Sequence, residues 1–136
     1  MTPAIRQRAR FACSPHELFE LYADSAKHSA STGALARVSR EAGGAFSAFE
    51  GALSGRNLVI VPDRLIVQAW RSTAFKPADT DSILVLEFRK ARGGSEIEMV
   101  HVNVPKQDHA GVTKGWPHYY WKPWKAYLAA KKGKKS

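Results

Sequence analysis

The sequence predicts an α+β fold in which a curved antiparallel β-sheet wraps around a long C-terminal helix, with two short helices after the first strand. Three observations predict it. A helix-start signal follows the first strand, strand-like segments succeed one another from residue 34 to residue 104, and aromatic residues recur at helical spacing near the C-terminus. Because a sheet with one apolar face needs a cover, we expect the last helix, the one long amphipathic segment, to supply it.

The first strand and the two helices after it carry the most specific local signals. Residues 5–11 alternate three arginines with Ile5, Gln7, Ala9 and Phe11, the period of two that is typical of a half-buried strand. Ser14 then stands before Pro15, and a glutamate follows the serine by three residues, the pattern of a capped helix start. We expect one helix over about residues 15–22 and a second over about 24–31, ended by a Thr-Gly pair.

Several antiparallel strands are predicted after these helices. The first begins near Ala34 and is broken by Gly43-Gly44, and the candidate strands after it cover residues 46–53, 58–61, 65–73, 82–90 and 96–104. Gly55 separates strands 46–53 and 58–61, residues 62–64 form a tight turn, and the last two strands make a hairpin across residues 91–95. The points at which the sheet is expected to bend are Gly43, Gly44, Gly51 and Gly55.

The predicted C-terminal helix covers about residues 108–130. At 100° per residue, four aromatic side chains fall within roughly 80° of one another and form one apolar face. They are Trp116, Tyr120, Trp124 and Tyr127. Pro117 suits a first helical turn, whereas Pro123 lies inside the pattern, removes one backbone hydrogen bond and is expected to kink the helix.

Length, charge and cysteine content indicate one domain with a basic tail. The chain of 136 residues fits a single domain over residues 1–130, and the lysine-rich residues 131–136 contribute to the net charge of +9 and are predicted to be disordered. The single Cys13 cannot form an internal disulfide, which suits a reducing cytoplasm. The N-terminal segment has arginines where a signal peptide has its apolar stretch, and no aliphatic run is long enough to cross a bilayer. We therefore expect a cytoplasmic protein without membrane insertion.

No catalytic, metal or cofactor motif is found in the sequence. The five histidines lack H-E-x-x-H spacing, and neither G-x-S-x-G nor a phosphate-binding loop occurs. Cys13 precedes a helix N-terminus, where a thiolate is favoured; the preferred alternative is a small apolar side chain that packs against Leu18. Glu87 and Glu98 resemble paired carboxylates but are expected to face water. We therefore expect no enzymatic activity, bound metal or cofactor.

Side-chain alternation directs a mixed set of residues toward the helix. If Trp70 points inward, so do Gln68 and the matching positions of the next two strands. Polar members of this set can orient a ligand in an otherwise apolar cavity. The candidate cavity-lining residues are Phe46, Gln68, Trp70, Leu84, Leu86, Met99, His101, Trp116, Tyr119, Tyr120 and Trp124. The alternative is that the aromatic side chains fill this space and His101 bonds to a neighbour.

Four segments, taken together, resemble a known family. They are Gly43-Gly44-Ala-Phe46-Ser, Gly51-Ala-Leu-Ser-Gly55, the run from Val61 to Arg71, and Gly115-Trp116 with the run from Tyr119 to Leu128. Their order and spacing are similar to those of the family of the activator of heat-shock protein 90 ATPase, within the helix-grip, START-like (SRPBCC) superfamily. The resemblance covers the chain from the first strand to Leu128, and the eukaryotic co-chaperone resembles it in its C-terminal half.

This resemblance implies a helix-grip fold with a deep apolar pocket between sheet and helix. Because members of the superfamily bind lipids, sterols, polyketides or plant hormones, it implies a small apolar or amphipathic ligand in that pocket. It also implies an alternative function, a co-chaperone of the stress response that stimulates a heat-shock protein 90 ATPase through its basic outer surface.

Nucleic-acid binding is a third hypothesis. The basic side chains of Arg6, Arg8 and Arg10, together with Arg89-Lys90-Arg92 and the lysine tail, can contact phosphates. However, the aromatic residues of the last helix are placed for burial instead of stacking on exposed bases. A solvated basic surface is the favoured interpretation, so we expect no specific nucleic-acid partner.

Overall fold

The computed structural model describes residues 2–134 and contains a seven-stranded antiparallel sheet. The strands are β1 (Ile5–Phe11), β2 (Arg37–Val38), β3 (Ala45–Ala48), β4 (Leu53–Val61), β5 (Leu65–Ser72), β6 (Ser82–Ala91) and β7 (Gly94–Val102). Their order across the sheet is β1-β7-β6-β5-β4-β3-β2, so the first strand pairs with the last. Two helices, α1 (Pro15–Ala23) and α2 (Ser25–Thr32), lie between β1 and β2 in the chain, as predicted.

The long C-terminal helix confirms the α+β, helix-grip prediction. It consists of α3 (Lys106–Trp116), a π-helical segment (Pro117–Trp121) and α4 (Lys122–Lys134), with helical dihedral angles at both junctions. The helix therefore continues into the segment 131–136 for which the sequence predicts disorder, and residues 135–136 lie outside the described residues. Within residues 2–134, no helix has the length and apolar character needed to span a membrane.

The helix contains two prolines, and the structure corrects the position expected for one of them. Pro117 does not lie in the first turn but follows the eleven residues of α3. Because Pro117 has no N–H to donate to the Thr113 carbonyl, that carbonyl accepts a hydrogen bond from Gln7 Nε2 of β1 at 2.8 Å. The Lys122 N–H then bonds to the Pro117 carbonyl, five residues back. This π-type bond lies directly before Pro123, where the sequence predicts a kink, and helices bend at such segments.

The inner face of the sheet carries the side chains expected from alternation. On β5, β6 and β7, each of these side chains is at most 4% exposed: Ile66, Gln68, Trp70, Leu84, Leu86, Phe88, Ile97, Met99 and His101. The helix packs Trp116, Tyr120 and Trp124 against them, as predicted, and also Trp121. Trp121 was missed because the π segment aligns residues five apart, so that its ring stacks on Trp116 with centroids 5.4 Å apart.

The predicted strand 46–53 is interrupted by a short turn. A 3₁₀ turn at Phe49–Gly51 separates β3 from β4, with φ of 52° at Phe49 and 58° at Glu50. Gly55 lies inside β4 instead of separating two strands. It pairs with Phe46 of β3 on one side and with Trp70 of β5 on the other, and both strands approach it closely. A Cβ at Gly55 would overlap the Ala69 carbonyl and lie 2.8 Å from a ring carbon of Phe46.

Candidate functional site

A groove of about 410 Å³ opens between the first half of the C-terminal helix and the β4–β5 part of the sheet. Its lining residues are Phe49, Ala52, Leu53, Trp70, Ser72, Asp108, Gly111, Val112, Gly115, Trp116, Tyr119 and Tyr120. The helical members recur three or four residues apart, so they occupy one face of the helix. Gly111 and Gly115 contribute no side chain on this face, which leaves space between helix and sheet.

Four of the candidate cavity residues line this groove. Trp70 and Trp116 are almost fully buried in its wall, Tyr120 is 3% exposed, and Tyr119 is 52% exposed at the opening. The other seven candidates are buried in the packed interior and do not line the groove: Phe46, Gln68, Leu84, Leu86, Met99, His101 and Trp124. Alternation identifies the inner face of a strand, but it does not reveal which end of that face the helix leaves uncovered.

The groove also contains residues that the sequence reasoning missed. They are Phe49, Ala52, Leu53, Ser72, Asp108, Gly111, Val112 and Gly115. The spacing of Asp108, Gly111 and Gly115 along the helix was a usable signal, because it marks a strip of small and polar residues beside the aromatic stripe. The contribution of Phe49 had no sequence signal, since it depends on the left-handed backbone of the 3₁₀ turn.

Aromatic rings form much of the groove wall. The Phe49 ring centroid lies 5.3 Å from that of Tyr119 and 5.6 Å from that of Tyr120, both in edge-to-face geometry. Trp116 lies 4.8 Å from Tyr120 and 6.5 Å from Trp70. Such packing between rings fixes their orientation. The groove is therefore bounded by ring surfaces that are already held in place.

His101 lies behind this wall and is fully engaged in hydrogen bonds. Its Nδ1 accepts a bond from the Trp116 indole N–H at 3.2 Å, so its Nε2 carries the proton and donates to Ser82 Oγ at 2.9 Å. The Ser82 hydroxyl in turn donates to the Trp70 carbonyl at 2.6 Å. Burial lowers the pKa of His101 to about 3. The neutral ring thus links the two tryptophans of the groove wall, which is the neighbour-bonded alternative considered for His101.

A second buried histidine, His28 of α2, connects α1 to the C-terminal helix. Its Nδ1 donates to the Tyr22 carbonyl at 2.8 Å, and its Nε2 accepts a bond from the Tyr120 hydroxyl at 2.9 Å. Burial lowers the pKa of His28 to about 4 and raises the pKa of the Tyr120 hydroxyl. The hydroxyl of Tyr120 is therefore committed to His28, while its ring faces the groove.

Gln68, a candidate ligand-orienting residue, also has protein partners for its side chain. Its Oε1 accepts a bond from the Tyr22 hydroxyl at 2.7 Å, and its Nε2 donates to Asn57 Oδ1 at 2.9 Å. Asn57 donates onward to the Ser39 carbonyl at 2.7 Å. This chain of bonds joins α1, β5 and β4 across the core, so Gln68 has a structural role.

Apart from the Tyr119 hydroxyl and the indole N–H groups of Trp70 and Trp116, the polar side-chain groups of the groove come from one contact between helix and sheet. The Ser72 hydroxyl of β5 donates to Asp108 Oδ2, with the oxygen atoms 2.5 Å apart. Asp108 lies in the first turn of α3, where the helix dipole favours a negative charge. The carboxylate and the hydroxyl are therefore held in place at one end of an otherwise apolar groove.

Cys13 is a buried member of the core and not an activated thiol. It belongs to the same apolar cluster as Leu18, and its Sγ lies 3.7 Å from Ser95 Oγ. Burial raises the pKa of the thiol, an effect that the bond to Ser95 opposes. This arrangement agrees with the interpretation of Cys13 as a packing residue.

Two arginines of β1 lie in ion pairs on the outer face of the sheet. Arg8 Nε lies 2.8 Å from Glu98 Oε2, and Arg10 Nε lies 3.2 Å from Glu96 Oε1. Arg89 Nη2 reaches the other oxygen of Glu98 at 2.6 Å, and these bonds lower the pKa of Glu98. Three of the side chains that suggested phosphate contacts, Arg8, Arg10 and Arg89, are thus paired with carboxylates. Among residues 2–134, no group of three or more His, Cys, Asp or Glu side chains is arranged to hold a metal ion.

Comparisons with known proteins agree with this fold. The chain is 29% identical over 119 residues to human "Activator of 90 kDa heat shock protein ATPase homolog 1" and 24% identical over 115 residues to the homologue from Dictyostelium discoideum. These matches cover 88% and 85% of this chain but only 35% and 30% of the relatives. The chain therefore spans about a third of the length of these two proteins.

Solved structures show the same architecture. An HSP90 activator from Plasmodium falciparum superposes with a TM-score of 0.85 at 22% identity, covering 94% of this chain and 97% of that one. A protein from Mesorhizobium loti superposes with a TM-score of 0.79 at 16% identity, covering 94% and 98%. The family described as "Activator of Hsp90 ATPase homolog 1-like protein" matches residues 12–129. On this match, the chain belongs to the family of activator of Hsp90 ATPase homolog 1-like proteins.

Proposed function

We propose that this chain is a binding module that holds a small, largely apolar molecule in the groove between the C-terminal helix and the β4–β5 part of the sheet. The observation that carries the proposal is the groove itself, with about 410 Å³ of space and walls made mainly of aromatic and aliphatic side chains. This volume lies within the range of small-molecule sites, which are typically about 300–1,000 Å³.

The polar groups around the groove support binding without catalysis. Both ring nitrogens of His28 and His101 are occupied by protein hydrogen bonds, so neither ring has a free nitrogen to act on a ligand. Asp108 and Ser72 lie in the groove itself, but a carboxylate that accepts a hydrogen bond from a serine hydroxyl, with no histidine between them, lacks the base–nucleophile arrangement of an acyl-transfer site. The proposed role is therefore to bind, and ring surfaces supply the contact.

The proposal is tested with the neutral fluorescent probe N-phenyl-1-naphthylamine. We expect its fluorescence to rise on binding to the wild-type chain and the tryptophan emission to change, because Trp70 and Trp116 line the groove. Gly115→Leu places a side chain in the groove and should weaken binding at least about tenfold, which corresponds to a loss of about 1.4 kcal/mol of binding free energy. Lys114→Leu adds the same side chain at the neighbouring exposed position and should leave binding unchanged.

The pair of leucine variants separates site binding from surface binding. If both variants bind the probe as the wild type does, the probe does not occupy this groove. If the wild type does not bind it at all, and a panel of neutral aromatic and aliphatic molecules also fails, the binding-module proposal is wrong. Circular dichroism confirms that both variants fold before the comparison is made.

A second candidate function is the stimulation of a 90 kDa heat shock protein ATPase. The names of the relatives favour it, although the chain spans only about a third of their length. The structure adds an exposed apolar surface on the outer face of the sheet, the outer valine patch, formed by Val59, Val67, Val85, Val100 and Val102. Val59 is 42% and Val102 37% exposed, and such patches commonly mark protein interfaces.

This candidate is tested by measuring the ATPase rate of the source organism's 90 kDa heat shock protein with increasing amounts of the chain. We expect stimulation by the wild type, its loss in Val59→Glu, and its retention in Leu35→Glu, which changes an exposed leucine outside the outer valine patch. An unchanged rate at saturating concentration would remove the co-chaperone role. The cytoplasmic location predicted from the sequence stays a prediction.

A further inference from the structure

The groove carries a charge opposite in sign to that of the whole chain. Lys and Arg residues number 21 against 12 Asp and Glu, for a net charge of +9. None of these basic residues lines the groove, whereas Asp108 does. A ligand that reaches the groove therefore meets a carboxylate and no positive side chain. Overall charge would suggest an anionic ligand, and the groove favours the opposite.

The carboxylate of Asp108 has no cationic partner among the described residues. Its Oδ2 accepts the Ser72 hydroxyl, and none of the ion pairs found within residues 2–134 includes it. By contrast, Glu96 and Glu98 on the outer face of the sheet both lie against arginines. Because a partly buried charge is most stable when paired, Asp108 is the group in the groove that gains most from a cation.

The aromatic rings of the groove contact a different part of such a ligand. Trp116, Tyr119 and Tyr120 follow Asp108 by eight to twelve residues in the same helix, so their Cα atoms lie about 12–18 Å further along its axis. They therefore offer surface to the apolar body of a ligand whose charged group lies at Asp108. An anionic group at that position would meet the carboxylate, with no basic side chain in the groove to offset it.

We propose that the groove selects an organic ammonium ion, with the charged nitrogen at Asp108 and an apolar body against the aromatic walls. This inference rests on the proposed function, since it takes the groove as the ligand site and adds the charge of the ligand. Ser72 holds Asp108 Oδ2 and leaves Oδ1 to accept the ammonium N–H. The walls select for an apolar body, and the carboxylate selects for its charged end.

The test uses three molecules that share one ring system: naphthalen-2-ylmethylamine, naphthalen-2-ylmethanol and 2-naphthoate. Isothermal titration calorimetry at pH 7 and low salt should give the amine about tenfold higher affinity than the alcohol, because only the amine forms an ion pair with the Asp108 carboxylate. The carboxylate should bind least. In Asp108→Asn, which keeps an oxygen to accept the Ser72 hydroxyl, the preference for the amine over the alcohol should disappear.

The control variant is Glu41→Gln, which removes an exposed carboxylate outside the groove and should keep the preference for the amine. If the amine and the alcohol bind the wild type equally, the charge selection is overturned and the apolar binding site remains. If none of the three binds, the proposed function fails and the inference with it. The wild-type series alone decides between these results, so the test holds even if Asp108→Asn does not fold.

Discussion

Acidification from pH 7 to pH 5 should destabilise this protein through its two buried histidines. His28 and His101 are each 1% exposed or less, and burial lowers their pKa values to about 4 and about 3, from an ordinary value of 6.5. In the unfolded chain both rings are exposed and gain protons near pH 6.5. As the pH falls from 6.5 toward 4, the unfolded state therefore binds more protons than the native state, and stability decreases.

The size of this effect follows from the difference in pKa between the two states. Between pH 7 and pH 5 the free energy of unfolding decreases by about 2 kcal/mol for each histidine, or about 4 kcal/mol for both. Because both native pKa values lie below 5, most of this loss is set by the ordinary value of the unfolded ring. The loss is large against a typical total stability of about 5–15 kcal/mol.

The assay is urea unfolding at pH 7 and pH 5, followed by tryptophan fluorescence and circular dichroism. The quantity compared is the loss of unfolding free energy between the two pH values, measured within each variant. His28→Gln and His101→Gln should each reduce that loss by about 2 kcal/mol, whatever their stability at pH 7. His118→Gln changes an exposed histidine and provides the matched control.

Two results would refute the reasoning. Equal stability of the wild type at pH 7 and pH 5 would mean that the buried rings accept protons without cost. A reduction in His118→Gln as large as that in His28→Gln would mean that burial is not the cause. Nitrogen chemical shifts of His101 at pH 5 provide a direct check, since they should indicate a neutral ring protonated at Nε2.

Two further predictions concern packing. Gly55→Ala should destabilise the fold by about 3 kcal/mol or more, because its Cβ would overlap the Ala69 carbonyl. Gly111→Ala is the control, since its Cβ has ordinary contacts in a helix and should add about 0.5–1 kcal/mol of stability. Thermal unfolding measures both, and a tolerated Gly55→Ala would contradict the close approach of the strands. Leu86→Ala should cost about 2–5 kcal/mol in urea unfolding and Leu35→Ala, which is 53% exposed, less than about 0.5 kcal/mol; similar losses would contradict the assigned core.

Local signals predicted the early part of the fold well. Ser14 accepts a hydrogen bond from the Glu17 N–H at 3.1 Å, so the predicted helix start after β1 is present. The alternation on β5 to β7 also held, because neighbouring residues of an extended chain must point to opposite faces. Both signals depend on a few adjacent residues, and this is why they could be interpreted without knowledge of the fold.

Predictions of the site were less complete because the groove is made by distant segments. The chain brings Phe49 of the 3₁₀ turn, Trp70 of β5 and Asp108 of α3 to one place. Alternation predicted that Trp70 faces the helix, but the position of Phe49 depends on a positive φ that the pattern does not encode. The four aromatic residues of the predicted apolar face identified the correct helix. They did not show which part of that helix the sheet leaves uncovered.

The amino-acid order alone determined the α+β class, the two short helices, the inward faces of the long strands and the helix that covers them, because these follow from periodicity and caps within short segments. Only the tertiary structure decided that Gln68 and His101 serve the core, that Trp121 stacks on Trp116 through the π segment, and that a negative groove exists in a basic chain. The physical reason is that hydrogen-bond partners, burial and local charge depend on which remote segments meet, and one-dimensional spacing does not carry that information.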